Sequence, residues 1–244
     1  MSSVAIGITT YNRPESFLEC LESILEFAPN DSKIYVNDDG SSVDYGDAFK
    51  FAEKNGCIVF KSPHKNIAAS KNILLNAMID DGFYDLFLVE DDMKALSSDA
   101  FEKYVEVSQE TSIHHLLYAH HGDRNFMYAK NDLMTLHYEC VGSWCYYTAD
   151  AISEIGFFDE KFENCWEHVV HSMLIGDSGL MHDLGWRRWP DVLDSDKFIA
   201  EIDTPSTHAP VSENELMKQK RVQDGLRHWK ANYRFPDDLR PLLR

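Results

Sequence analysis

The sequence lacks the signatures of several common classes of protein. It has five cysteines, and no two of them show the Cys-x-x-Cys spacing of a structural zinc site. No Gly-x-Gly-x-x-Gly follows the first predicted strand, and Gly-x-x-x-x-Gly-Lys-Ser/Thr does not occur, so two common nucleotide-binding fingerprints are missing. No segment approaches the roughly 20 consecutive apolar residues of a membrane helix. The sequence therefore predicts no structural zinc module, no dinucleotide motif, no P-loop and no transmembrane segment.

Positive charge is also scarce. The chain has 23 Lys and Arg against 41 Asp and Glu, which gives a formal net charge of -18. Such a surface repels nucleic acids and anionic membranes unless a local basic patch compensates. The composition therefore disfavours a nucleic-acid partner without excluding one.

The chain shows no sign of export. Its N-terminus lacks a basic segment followed by an apolar run, and an odd number of cysteines suits a reducing compartment. We therefore expect a cytoplasmic protein. A length of 244 residues suits one large domain or two closely packed halves. We expect the halves at residues 1–95 and 96–210, followed by a helical tail at 211–244.

The first half alternates between short apolar segments and segments with helical spacing. This alternation predicts an α/β fold with a mostly parallel sheet covered by helices on both faces. A helix is predicted after the first strand and another at Asn66 to Met78. The four strands are predicted at Val4 to Thr9, Lys33 to Val36, Cys57 to Phe60 and Asp85 to Val89.

Polar residues cluster after three of these predicted strands. The clusters are Thr9 to Asn12, Asp38 to Ser41 and Glu90 to Asp92. Ligands of such sheets bind beyond the carboxyl ends of the strands, so the three clusters should converge on one crevice. Asp91 and Asp92 would repel a phosphate group by themselves. Carboxylates in this place suit a hard divalent cation that bridges to phosphate oxygens.

Four segments in succession resemble the motifs of family 2 glycosyltransferases. They are Ile8 to Arg13, Val36 to Ser41, Asn66 with Lys71-Asn72, and Leu88 to Asp92. The resemblance is good over about residues 1–95 and patchy beyond them. It implies the GT-A fold, which is a Rossmann-like, mostly parallel sheet flanked by helices, with a smaller mixed sheet on the acceptor side. It also implies that the first half binds a nucleotide sugar and the second half binds the acceptor and carries the catalytic residues.

The resemblance also implies roles for individual residues of the first half. Thr9 and Asp39 match residues that contact the nucleobase, usually uracil, and Tyr11 stands where a ring lies beside the base. Lys71 replaces an arginine that often reaches the base or the phosphate, which keeps the charge but loses a bidentate contact. The full predicted nucleotide set is Thr9, Tyr11, Asn12, Arg13, Asp38, Asp39, Lys71, Glu90 and Asp91.

Glu90-Asp91-Asp92 takes the place of the Asp-x-Asp motif of the family. It also resembles the Glu-Asp-Asp of the N-acetylglucosaminyltransferases that initiate complex N-glycans. By this resemblance Asp92 is the direct ligand of Mn²⁺ or Mg²⁺, and Asp91 and Glu90 reach the ribose, the sugar or metal-bound water. GT-A enzymes often add a histidine from the C-terminal region. His208 is the predicted ligand of this kind, and His182 is its competitor.

The second half resembles the family's second conserved region at Val141 to Tyr147 and Ile155 to Asp159. In the family a Gly-rich turn in this region lies beneath the donor sugar. Trp144 could stack on a sugar face or belong to the core. Together with Trp166 it is assigned to the sugar or acceptor site.

The catalytic base is predicted within Cys165 to His171. The family usually has Glu-Asp here, with the Asp as general base, whereas this sequence has Glu167 followed by His168. Either side chain can accept the proton of an acceptor hydroxyl. Glu167 is the preferred prediction, because a carboxylate also favours the positive charge that develops on the sugar. His168 is the alternative, and a buried Glu167 without a catalytic role is a third interpretation.

The resemblance thus implies a metal-dependent hexosyl- or pentosyltransferase. Its donor would be a nucleotide diphosphate sugar, most often a UDP-sugar in this family. Its acceptor would be a hydroxyl of a carbohydrate or glycoconjugate, and displacement would invert the anomeric centre. A sugar nucleotidyltransferase and a non-catalytic sugar-binding relative are the alternatives.

Overall fold

The computed structural model describes residues 3–119, 127–139, 141–181, 189–203 and 215–234. Within these residues the strands are β1 (Val4–Thr10), β2 (Lys33–Asp38), β3 (Ile58–Lys61), β4 (Asp85–Glu90), β5 (Met93–Ala95), β6 (His115–Leu117), β7 (Met127–Lys130), β8 (Met134–His137), β9 (Trp144–Thr148), β10 (Trp189–Val192) and β11 (Ile199–Glu201). The α-helices are α1 (Pro14–Phe27), α2 (Ala48–Lys54), α3 (Ile67–Asp80), α4 (Asp99–Thr111), α5 (Ala149–Ile155), α6 (Glu167–Asp177) and α7 (Glu215–Asn232).

The largest sheet in the described part of the chain has six strands in the order β3-β2-β1-β4-β9-β6. Strands β1 to β4 are mutually parallel, whereas β9 runs antiparallel to both β4 and β6. Every residue of β1 is buried, as expected for a parallel strand that is covered on both faces. The predicted α/β fold with a mostly parallel sheet is confirmed.

Helices cover this sheet closely. The buried face of α1 includes Phe17, Leu21 and Ile24, which repeat at helical spacing. Helix α3 packs directly over β1 at Gly7, where an added Cβ would lie 3.0 Å from Leu74 Cβ. Glycine at this position therefore allows the helix to approach the strand.

Two smaller antiparallel sheets lie beside the main sheet. One has the order β10-β8-β7, and the other pairs β11 with β5. After β11 the N–H of Ile202 donates to the carbonyl of Asp92 at 2.6 Å. This pairing brings the end of the second half of the chain against the Glu90–Asp92 segment.

The C-terminal helix α7 packs back on the second half. Trp229 is fully buried, and Leu226 is also buried. The indole of Trp166 donates to the carbonyl of Val222 at 3.2 Å. An added Cβ at Gly225 would lie 2.8 Å from Trp166 Cδ1, so glycine allows this close contact.

The observed elements are close to the predicted ones, with small differences. Helix α2 was not predicted. In the described segments, no helix is long and apolar enough to cross a membrane.

Candidate active site

The three predicted polar clusters meet at the carboxyl edge of the main sheet. Thr10 aligns with Asp38 on one side, and Thr9 aligns with Glu90 on the other. The hydroxyl of Thr10 donates to Asp91 Oδ2 at 2.7 Å. The expected convergence is therefore present, because adjacent parallel strands end together.

Asp91 is a buried residue with three polar contacts, two at its carboxylate and one at its backbone carbonyl. It accepts from Thr10, its Oδ1 lies 3.3 Å from Arg13 Nη1, and its carbonyl accepts from Ser16 Oγ at 2.6 Å. Burial raises the pKa of Asp91 to about 7, against the opposing effects of Arg13 and Thr10. A second cation near this carboxylate would favour its ionised form.

Asp92 lies beside it and is partly open to solvent. Its Oδ2 accepts from Arg13 Nη1 at 2.9 Å, and its side chain is 31% exposed. Its Oδ1 is buried and has no hydrogen-bond partner among the described residues. A carboxylate oxygen of this kind fits a hard divalent cation.

The cation site has no complete set of protein ligands within the described ranges. No group of three His, Cys, Asp or Glu side chains is arranged there to hold a metal ion. The predicted ligand His208 and its competitor His182 lie outside the described residues. Asp92 therefore fits a metal, and the assignment of further ligands stays a prediction.

A chain of charged side chains connects this edge to helix α6. Lys71 Nζ donates to Glu90 Oε1 at 2.9 Å and to the carbonyl of Gly142 at 3.1 Å, and lies 3.6 Å from Glu167 Oε1. His168 Nδ1 lies 3.1 Å from the same Glu167 oxygen. The order of contacts is thus Glu90, Lys71, Glu167 and His168.

Burial and charge act against each other in this chain. Burial works to lower the pKa of Lys71, but the charges of Glu90 and Glu167 outweigh it and raise that pKa. Burial works to raise the pKa of Glu167, but His168 and Lys71 lower it to about 2. Glu167 is therefore an ionised, buried carboxylate.

Lys71 has structural contacts, and its predicted contact with a base or phosphate stays a prediction. Its side chain is 2% exposed, and its ammonium contacts Glu90, Glu167 and the Gly142 carbonyl. The physical reason for these contacts is that an unpaired Glu167 could not be buried at an acceptable energy. Lys71 compensates the charges of Glu90 and Glu167.

Asp39 and Tyr11 form a second part of the site. The two oxygens of Asp39 accept from the N–H of Lys65 at 3.0 Å and contact His64 Nδ1 at 3.0 Å. The rings of Tyr11 and His64 stack with their centroids 4.2 Å apart. Burial raises the pKa of Asp39, against the opposing effects of Lys65 and His64. A flat aromatic surface thus lies next to a hydrogen-bond acceptor.

His64 and Lys65 were missed by the sequence reasoning. They follow β3, which is parallel to β2 and ends at the same edge of the sheet. Because the carboxyl ends of all four parallel strands meet there, the segment after the third predicted strand was the available signal.

Other predicted residues shape the loops of the edge. Asn12 has a φ of 58° and its Oδ1 accepts from the N–H of Ser42 at 2.8 Å. Asp38 Oδ1 accepts from the N–H of Ser41 at 3.0 Å, which forms a local turn. The hydroxyl of Thr9 is buried without a partner in the part of the chain that the structure describes. Asn12 and Asp38 thus have structural contacts, and their predicted nucleotide contacts stay predictions.

The two tryptophans assigned to the sugar or acceptor differ. Trp144 is 0% exposed and packs in the core with its ring centroid 5.3 Å from that of Phe101. This burial favours the core interpretation of Trp144 over stacking on a sugar. Trp166 is half-buried against α7 and Trp229, and its φ of 69° is in the left-handed region.

The six-stranded, mostly parallel sheet flanked by helices is a GT-A fold. Residues 5–152 match the model of glycosyl transferase family 2, and the chain belongs to this family. A comparison with curated proteins gave no match.

Solved structures of glycosyltransferases share the fold. The mannosyltransferase PcManGT from Pyrobaculum calidifontis, in complex with GDP-Man and Mn²⁺, is 12% identical with a TM-score of 0.64, over 98% of this chain and 66% of that one. GalNAc-T7 with UDP, GalNAc and Mn²⁺ is 12% identical with a TM-score of 0.63, over 83% and 44% of the two chains. S. aureus TarS 1-349 in complex with UDP-GlcNAc is 14% identical with a TM-score of 0.58, over 95% and 74%. The GT-A fold is confirmed by these similarities.

Proposed function

We propose that this protein transfers a sugar from a nucleoside diphosphate sugar to an acceptor hydroxyl. The observation that carries the proposal is the connection of Asp39 to Asp91 through Thr10. The Asp39 N–H donates to the carbonyl of Thr10 at 3.0 Å, while the Thr10 hydroxyl donates to Asp91. Hydrogen bonds thus link the residue that we propose for the nucleobase to a residue that we propose for the diphosphate side.

The donor would lie along this edge of the sheet. Its base, which we expect to be uracil, would stack on the Tyr11 side of the ring pair and donate to Asp39. The complexes of related structures with UDP-GlcNAc, GDP-Man and UDP support a nucleotide-sugar donor. Membership of family 2 supports sugar transfer as the reaction.

The diphosphate would lie near Asp92 and Arg13. Asp92 would hold Mg²⁺ or Mn²⁺, which when bound supplies positive charge to the leaving diphosphate. Arg13, now paired with both aspartates, is a second source of positive charge at this place. Both would stabilise charge that grows as the bond from the sugar to the diphosphate breaks.

Transfer needs an acceptor hydroxyl on the side of helix α6, where Glu167 and His168 lie. A carbohydrate or glycoconjugate is the acceptor class that we propose. Direct attack of its oxygen on the anomeric carbon would invert that centre.

Donor binding is the first test. Thermal shift and calorimetry with UDP-sugars and GDP-sugars, each with and without Mn²⁺, should give metal-dependent stabilisation by at least one UDP-sugar. The variant Asp92→Ala should lose the metal dependence and about 100-fold or more of the transfer rate, since outer-shell changes alone cost 10–100-fold.

Asp31→Ala is the matched control, because Asp31 is exposed and precedes β2 at the opposite edge of the sheet. It should behave as the unchanged protein. Full transfer and Mn²⁺-dependent binding in Asp92→Ala would refute the metal assignment. Absence of binding by every nucleotide sugar would refute the proposed function.

A further inference from the structure

Tyr45 lies in the loop between β2 and α2, and its hydroxyl contacts the loop that follows β1. The residue is buried. Its hydroxyl oxygen lies 2.6 Å from Thr10 Oγ1 and accepts from the backbone N–H of Arg13 at 3.1 Å. One hydroxyl group thus joins two loops at the carboxyl edge of the main sheet.

Aromatic packing holds the ring of Tyr45. The ring stacks on that of Phe49 in α2, with centroids 4.4 Å apart, and its centroid lies 5.8 Å from that of Phe17 in α1. A tyrosine packed in this way buries its apolar ring and presents its hydroxyl to polar partners. The position of the hydroxyl is therefore set by the packing of α1 and α2.

The hydrogen bonds around this hydroxyl have a defined direction. Thr10 Oγ1 donates its proton to Asp91 Oδ2 at 2.7 Å, so it accepts the proton of Tyr45. The lone pairs of the Tyr45 oxygen then accept from the Arg13 N–H and from Ser41 Oγ, which is 3.4 Å away. Burial raises the pKa of Tyr45 against the effect of its hydrogen bonds, so the phenol keeps its proton at neutral pH.

Two paths lead from the Tyr45 hydroxyl to the side chain of Arg13. The first is direct, through the backbone N–H of Arg13. The second runs through Thr10 to Asp91, whose Oδ1 lies 3.3 Å from Arg13 Nη1. Both the main chain and the guanidinium of Arg13 are therefore connected to this one hydroxyl.

The turn before Arg13 is also held by the loop that carries Tyr45. Asn12 has a left-handed φ of 58°, which is uncommon for a residue other than glycine. Its N–H donates to Ser41 Oγ at 2.8 Å, and its Oδ1 accepts from the N–H of Ser42 at 2.8 Å. A turn of this kind persists where its surroundings hold it. The position of Arg13 thus depends on contacts between the two loops.

We propose that Tyr45 is a positioning residue of the donor site, and that its hydroxyl holds Arg13 where the guanidinium can contact the diphosphate. This inference rests on the proposed function, which places the diphosphate near Arg13 and Asp92. Tyr45 acts through Arg13, because its hydroxyl is fully engaged by protein groups.

The experiment removes the hydroxyl and keeps the stacked ring. Calorimetry measures the affinity of Tyr45→Phe for UDP and for GDP, each at a saturating concentration of Mn²⁺. The affinity for the nucleotide that the unchanged protein binds more tightly should fall about tenfold, which is the effect of one lost hydrogen bond. An affinity equal to that of the unchanged protein would overturn the proposal.

Tyr35→Phe is the matched control. Tyr35 is also buried, and its hydroxyl also donates to a carboxylate, that of Asp81, at the opposite edge of the sheet. This variant should bind the nucleotide as tightly as the unchanged protein. A tenfold loss in both variants would show a general effect of removing a tyrosine hydroxyl and would contradict the proposal.

A double-variant cycle tests whether the effect passes through Arg13. Arg13→Met should weaken nucleotide binding by itself, because it removes a positive charge from the diphosphate side. Adding Tyr45→Phe to Arg13→Met should then cost less than about twofold more, since no guanidinium is left to position. If Tyr45→Phe costs about tenfold in both backgrounds, its role is merely structural and the proposal is wrong.

A second variant covers the case in which Tyr45→Phe does not fold. Thr10→Val interrupts the path to Asp91 and leaves the ring packing of Tyr45 in place. It should also weaken nucleotide binding, and unchanged affinity would overturn the proposal in that case. If the unchanged protein binds neither UDP nor GDP, the proposed function itself fails and the role of Tyr45 fails with it. Normal binding by Tyr45→Phe would refute the role of Tyr45 alone.

Discussion

Arg13 is ion-paired with Asp92, with Nη1 2.9 Å from Oδ2, and the same nitrogen lies 3.3 Å from Asp91 Oδ1. The guanidinium thus pairs with the same carboxylate that we propose as a ligand of the divalent cation. The two cations repel each other and compete for the same carboxylates.

We therefore expect Arg13→Met to bind Mn²⁺ more tightly in the absence of nucleotide. The gain should be about fivefold, equivalent to the ~1 kcal/mol of a partly exposed ion pair. Calorimetric titration with Mn²⁺ alone measures it. Lys33→Met is the control, since Lys33 pairs with Asp81 at the opposite edge of the sheet. Weaker Mn²⁺ binding by Arg13→Met would contradict the competition.

Removal of Lys71 should destabilise the protein strongly. Lys71→Met leaves Glu167 buried without its ammonium partner, which typically costs about 3–5 kcal/mol. Urea unfolding at pH 7.5 should show this loss, and the double variant Lys71→Met, Glu167→Gln should recover part of it. Lys50→Met is the surface control, because Lys50 pairs with Asp47 in full contact with solvent. If Lys71→Met unfolds at the same urea concentration as the unchanged protein, Lys71 does not have this role.

The ring of Tyr11 and the carboxylate of Asp39 should contribute separately to nucleotide binding. Tyr11→Ala should weaken UDP binding by about 1–3 kcal/mol, the usual range for stacking of a base on an aromatic ring. Asp39→Asn should weaken it by about 1.5–3 kcal/mol through loss of a charged hydrogen bond. Calorimetry with UDP provides both values. Tyr84→Ala, at an exposed tyrosine just before β4, should leave the Kd unchanged. Equal loss in Tyr84→Ala would show that the effect is not local.

Two buried histidines should make the fold sensitive to acid. Burial lowers the pKa of His115 to about 3 and of His171 to about 4, compared with about 6.5 in an unfolded chain. At pH values between about 4 and 6.5, the unfolded chain binds more protons at these two histidines than the folded chain does. The free energy of unfolding should therefore decrease as the pH falls below about 6.5, by up to ~1.4 kcal/mol per pH unit for each histidine.

Urea unfolding at several values from pH 7.5 to pH 4.5 measures this dependence. In His171→Gln the free energy of unfolding should change less steeply with pH, because a neutral amide replaces one of the two titrating rings. Parallel curves for the two proteins would show that His171 does not contribute.

Local patterns predicted much of the fold. Strand β1 is an apolar run that ends in polar residues, and α1 has its apolar side chains at helical spacing, so both could be found from neighbouring residues alone. Helix α2 has only seven residues, which is too short to show a clear helical period. The convergence of Thr10, Asp38 and Glu90 followed from the parallel arrangement.

Pairings between distant residues could not be predicted in this way. The burial of Lys71 between Glu90 and Glu167 depends on how β9 and α6 pack against the first half, and no local pattern encodes that distance. Trp144 shows the same limit. A tryptophan in a short aromatic strand suits a sugar platform and a core equally, and only the packing of β9 on α4 decides between them.

The contact of Lys71 with Glu167 also bears on biosynthesis. The parallel strands β1 to β4 leave the ribosome before helix α6 has been made, and chains generally fold from the N-terminal end as they emerge. Until Glu167 arrives, burial of Lys71 would leave it with Glu90 as its carboxylate partner. The edge of the nascent sheet around Lys71 should therefore remain exposed to solvent until α6 packs against it. During that time a chaperone or a protease could bind this edge.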